Sequence, residues 1–70
     1  NGIERTLFPE LTADEQAVAD ALQKENDQQV NSLTLTSGIP VSRLAATLFT
    51  LEMKGMVRCM AGGVYHLINN

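Results

Sequence analysis

Apolar residues in the first third of the chain recur at helical spacing. Ala17, Val18, Ala21 and Leu22 fall on one face of a 3.6-residue period. Thr12 is followed three residues later by Glu15, the signature of a capping box. Asp14 and Glu15 also suit the positive end of a helix, and Lys24 suits the negative end. The pattern predicts a helix over 13–24. The polar run Glu25-Asn26-Asp27-Gln28-Gln29 then reads as a loop, with Val30 as a minimal strand. Asn31 or Ser32 is suited to cap a short helix over 32–37 that carries Leu33, Leu35 and Thr36. Gly38 supplies a left-handed stop, and Pro40 keeps Ile39 out of helical conformation. A third helix is predicted over 41–54. Val41, Leu44, Leu48 and Leu51 form its core stripe, and Gly55 ends it.

The period then changes from helical to alternating. Met56 to Met60 and Val64 to Ile68 have strand composition, and Ala61-Gly62-Gly63 is a turn. A three-residue loop pairs Met60 with Val64, Cys59 with Tyr65, Arg58 with His66 and Val57 with Leu67. That register gathers Val57, Cys59, Tyr65 and Leu67 on the core face. A two-residue loop would face Arg58 with Leu67, and a one-residue slip turns every side chain over. The order is helix, small strand, helix, tight turn, helix, hairpin. It predicts an α+β fold, mainly α: a winged helix-turn-helix, in which a C-terminal β-hairpin wing closes a three-helix bundle. Residues 12–68 form that domain. Residues 1–11, with Ile3, Leu7 and Phe8 but no clear period, read as a linker or arm from a preceding domain.

Composition narrows what such a domain can do. Seventy residues give one small domain with a thin core. No apolar run approaches the ~20 residues of a membrane span. A single cysteine excludes an internal disulfide framework. With no leader pattern, a cytoplasmic setting fits best. The start at Asn1 rather than Met reads as a piece of a longer protein. The net charge of −3 opposes a dedicated nucleic-acid binder. It is unevenly spread, however: residues 1–27 sum to −5 and residues 28–70 to +2.

Candidate chemistry is sparse. His66 is the lone histidine, on an expected outward strand face. Cys59 lacks an activating partner and reads as a small core residue. A protein zinc site usually needs three or four ligands, so neither a metal nor a cofactor is expected. Asp14 and Glu15 are explained by helix-start electrostatics. No catalytic residue emerges, and the domain reads as a non-enzyme. The third helix carries two further stripes. Arg43, Thr47, Thr50 and Lys54 make a polar one on the helix that enters the major groove in helix-turn-helix proteins. With Arg58 on the wing, these five are the candidate DNA contacts. A solvated helix face is the equal alternative, since three cations neutralise few phosphates. The other stripe is Ser42, Ala46, Phe49 and Met53. Either Ile3, Leu7 and Phe8 fold over it, or Phe49 and Met53 form a partner surface.

Several segments together resemble one family. They are Leu11 to Val18, the turn Ser37 to Ser42, the stretch Leu51-Glu52-Met53-Lys54-Gly55-Met56-Val57-Arg58, and Gly62-Gly63-Val64-Tyr65. The chain resembles, over roughly residues 7–68, the C-terminal winged-helix domain of DNA-processing protein A (DprA, also called Smf). The resemblance implies a role in handling single-stranded DNA during natural transformation and recombination. It implies an upstream Rossmann-like domain that carries the main DNA binding, and the recombinase RecA as a partner. The domain itself is then an accessory module touching DNA or proteins, with no catalytic residue to carry over. Other functions compatible with the residues alone are a protein–protein module or a winged-helix transcription regulator.

Overall fold

A computed structural model describes residues 11–68. Helix α1 spans Ala13–Lys24, strand β1 Gln28–Gln29, helix α2 Val30–Ser37 and helix α3 Val41–Met53. Strands β2 (Val57–Met60) and β3 (Val64–Leu67) complete the element order. The three strands form one antiparallel sheet in the order β1-β3-β2. This is the three-helix bundle with a hairpin wing that the pattern predicts.

Local rules explain where the helices begin and end. The α1 capping box is complete. Glu15 N–H donates to Thr12 Oγ1 at 3.2 Å, and Thr12 N–H donates to Glu15 Oε1 at 2.9 Å. The carbonyls at the other end of α1 are met from outside the helix. Gln28 Nε2 donates to Ala21 O (3.2 Å) and Glu25 O (2.6 Å), and Thr36 Oγ1 donates to Gln28 Oε1 at 3.0 Å. Gln28 is thereby buried with its amide satisfied, as burial of a polar group demands. Helix α2 stops at Gly38, whose φ of 78° is left-handed. Helix α3 closes with a pair of reverse bonds, from Gly55 N–H to Glu52 O and from Met56 N–H to Leu51 O. That geometry needs the positive φ of 78° that Gly55 provides.

The core lies where the three helices meet the base of the wing. Val18, Ala21 and Leu22 of α1 pack with Leu33 of α2, Ile39 of the turn, and Leu44, Leu48 and Leu51 of α3. Val57 and Leu67 close it from the sheet. The hairpin register is the predicted one, from Val57↔Leu67 to Met60↔Val64.

Four details differ from the sequence reading. The small strand is Gln28–Gln29, and Val30 instead opens α2. Pairing of Gln28 with Tyr65 and Gln29 with Val64 makes a strand of two residues that have little strand propensity. Helix α2 therefore starts at Val30, and its N-cap, Gln29, makes no side-chain capping bond; neither Asn31 nor Ser32 has that role. Val41 is 57% exposed rather than core. It sits in the first turn of α3, beyond the end of the stripe that Leu44, Leu48 and Leu51 bury. Cys59 is exposed as well. Alternation sets it on the inner face of the wing, but the wing's tip extends past the helices, so only its base is buried.

Candidate nucleic-acid interface

The polar stripe of α3 faces the start of α1. Arg43 makes a two-pronged contact with Asp14, from Nε to Oδ2 at 2.9 Å and from Nη2 to Oδ1 at 3.1 Å. Three turns further along α3, Lys54 Nζ lies 2.6 Å from Glu15 Oε1. Between them, Thr50 Oγ1 donates to Glu15 Oε2 at 2.7 Å. Thr47 is buried and its hydroxyl donates to Arg43 O at 2.9 Å. The stripe and the first turn of α1 thus line one open groove of about 210 Å³, formed by Thr12, Asp14, Glu15, Ala46, Thr47 and Thr50.

Glu15 is the hub of this arrangement and is only 4% exposed. It accepts from Lys54, from the Thr12 backbone and from Thr50, and these bonds hold its pKa down to about 2 against the opposing effect of burial. One carboxylate therefore does two jobs: it caps α1 and it anchors α3. Sequence shows the first role through the Thr12–Glu15 spacing. It does not show the second, because Lys54 is 39 residues away. The opposite charges of the two helices are visible in the sequence, but not that they meet.

Arg58, the fifth candidate, lies elsewhere. It is exposed on the outer face of the wing opposite His66 and makes no ion pair among the described residues. His66 Nδ1 lies 2.7 Å from Asp27 Oδ1. The carboxylate can only accept, so the ring presents its Nδ1–H there. Asp27 reaches this position with a φ of 63°, which aspartate tolerates better than most residues. Its neighbour Asn26 serves the end of the wing: Leu67 N–H donates to its Oδ1 at 2.8 Å, and its Nδ2 donates to Leu67 O at 3.2 Å. The sequence reading assigns Asn26, Asp27 and Gln28 only to a polar loop.

The face of α3 turned away from the core is apolar. Ser42, Ala45, Ala46, Phe49 and Met53 are all exposed, Phe49 at 61% and Met53 at 73%. A helix seated in a major groove presents hydrogen-bonding groups to base edges from such a face. Here the candidate DNA-contact residues of α3 flank it on the α1 side. Whether Ile3, Leu7 and Phe8 cover Phe49 and Met53 lies outside the described residues.

A helix-turn-helix of α2 and α3 with a β2–β3 wing packed on α1 defines a winged-helix domain. A model of the DprA winged helix domain matches residues 5–63. The chain belongs to that family and is a DprA-type DNA-processing module. No match was found among the curated proteins or among the solved structures. Among the described residues no helix is long and apolar enough to cross a membrane.

Proposed function

We propose that this domain is a non-catalytic accessory module of a DNA-processing protein that handles incoming single-stranded DNA for natural transformation and recombination, and that its own DNA contact is weak. An upstream Rossmann-like domain carries the main DNA binding in this reading, and RecA is the recombinase partner. One observation supports the weakness: both cations of α3 are engaged by acids of α1, Arg43 by Asp14 and Lys54 by Glu15. Phosphates would have to compete with carboxylates already in place. Binding driven by counterion release scales with the phosphates neutralised, and this surface offers little uncompensated charge. The wing, with Arg58, is the better-placed contact.

The test is an amide-shift titration of the 70-residue chain with a single-stranded oligonucleotide at low and at near-physiological salt. The expected result is shifts centred on Arg58, Gly62 and His66, with a Kd on the order of 10⁻⁴ M at low salt and loss of binding at about 150 mM. Salt-resistant binding tighter than about 1 µM, centred on Arg43 to Lys54, would overturn the reading. Complete absence of shifts at low salt would remove DNA contact from it.

The exposed Phe49 and Met53 favour a second reading, a protein-contact surface. Arg58→Glu should abolish DNA contact and spare protein contact, whereas Phe49→Ala should do the reverse. Charge reversal at Arg43 or Lys54 is the wrong discriminator, because it sets a new carboxylate against Asp14 or Glu15 and perturbs the fold.

A further inference from the structure

Three charged or titratable side chains stand in one row across the outer face of the sheet. Asp27 leads into β1, His66 lies on the central strand β3, and Arg58 lies on β2. The hairpin register sets Arg58 directly opposite His66. Pairing of Gln28 with Tyr65 brings Asp27 to the other side of His66, where its Oδ1 lies 2.7 Å from His66 Nδ1. None of the three is buried. We propose that Arg58 and His66 form a clamp for one backbone phosphate of single-stranded DNA, and that His66 grips the phosphate when its ring is protonated. The proposal rests on the wing contact of the preceding section, to which it adds a second ligand residue and a proton dependence.

The Asp27 contact decides which ring nitrogen meets a ligand. A carboxylate accepts, so Nδ1 carries its hydrogen whether the ring is neutral or charged. The proton that comes and goes with pH is therefore the one on Nε2. The two ring nitrogens face nearly opposite ways, which turns Nε2 away from β1. It has no hydrogen-bond partner among the described residues. In the neutral ring Nε2 presents a lone pair, which repels a phosphate oxygen. In the imidazolium it presents an N–H, which donates a charge-assisted hydrogen bond to one. Asp27 is thus a positioning residue, acting through His66.

Charge balance points the same way. With the ring neutral, the charges of Asp27 and Arg58 cancel across the row. Protonation of His66 leaves the row net positive. Like charges directly opposite on paired strands repel, and an anion seated between Arg58 and the ring relieves that repulsion. The other side chains beside them on this face, Gln29, Val64 and Met60, are uncharged. Unlike Arg43 and Lys54, Arg58 has no acid to be displaced from among the described residues.

Titration of the 70-residue chain with a single-stranded oligonucleotide at pH 8 and pH 6, at one low salt concentration, tests this. Phosphodiesters stay ionised across that range, and His66 is the chain's one histidine. Affinity should rise at least about threefold from pH 8 to pH 6, with a ceiling of about tenfold per pH unit because one proton is linked. The titration midpoint of the His66 ring, followed by its own NMR signals, should move up by about half a pH unit when the oligonucleotide is added. His66→Gln should keep the parent's circular dichroism and lose both the rise in affinity and its pH profile. Ring nitrogen shifts at pH 8 should show the Nδ1–H tautomer, and Asp27→Asn should admit the Nε2–H tautomer. Equal affinity at the two pH values, with amide shifts still centred on Arg58, would overturn the clamp and leave the wing contact standing. An Nε2–H tautomer in the parent at pH 8 would overturn the part given to Asp27 and the proton dependence with it. No shifts at either pH would overturn the clamp and the wing contact together.

Discussion

Glu15→Gln isolates the charge at the centre of the α1–α3 contact. Glutamine retains the capping-box geometry, since its carbonyl still accepts from Thr12 N–H. What it loses is the negative charge facing Lys54 Nζ at 2.6 Å, together with the Oε2 acceptor of the Thr50 hydroxyl. The folded state holds the Glu15 pKa at about 2, below its ordinary 4.5. The native state thus favours the ionised form, and this stabilisation is fully present above pH 4.5 and is lost as pH falls through 2. The pKa difference sets a ceiling of about 3.4 kcal/mol. Lys54 retains a quarter of its side-chain exposure, so solvent screening reduces this to about 1.5–2.5 kcal/mol. For a domain of this size that lowers Tm by roughly 8–15 °C. Unfolding followed by far-ultraviolet circular dichroism at pH 7, 4 and 3, on wild type and variant together, measures it. Acidification acts on both proteins, so the difference between them carries the result. It should more than halve between pH 7 and pH 3. A difference under about 0.5 kcal/mol at pH 7, or one that does not shrink on acidification, would refute the role given to Glu15.

Three further outcomes follow from the packing. Leu48→Ala opens a cavity among Leu22, Leu44 and Leu51 and should cost about 2–5 kcal/mol, enough to leave much of so small a domain unfolded at 37 °C in a thermal melt. Gln28→Leu removes the amide that caps the carbonyls of Ala21 and Glu25, and should cost about 1–3 kcal/mol in urea unfolding. Its effect should exceed that of Gln29→Leu, whose amide reaches only Gly62 O at an exposed site. Cys59 should react with a disulfide reagent in the native protein at nearly the rate seen in urea; a large native-state protection would contradict its exposure on the wing.

The chain's own sequence determined the helices and the hairpin. Those elements rest on interactions within a few residues: Thr12 with Glu15, Gly38 and Gly55 at left-handed stops, the three-residue turn that fixes Arg58 opposite His66. Periodicity also identified Leu44, Leu48 and Leu51 as core. Short-range rules failed where the partner is far along the chain. Strand β1 exists because β3 offers an edge to Gln28 and Gln29, not because glutamine favours a strand. Cys59 has the correct parity for burial, but the wing outruns the helices that would cover it.

The site divides along the same line. Both the acidic α1 and the basic stripe of α3 could be read from residue order, and read separately they oppose one another as features of a DNA-binding surface. Tertiary structure decided that they meet. Lys54 reaches Glu15 and Arg43 reaches Asp14, so charges that looked available to phosphate are spent on holding two helices together, while the solvent-facing side of α3 is left to Phe49 and Met53. The physical reason is that a helical pattern specifies which residues share a face, whereas what that face meets depends on helices placed by a core shared across the whole chain.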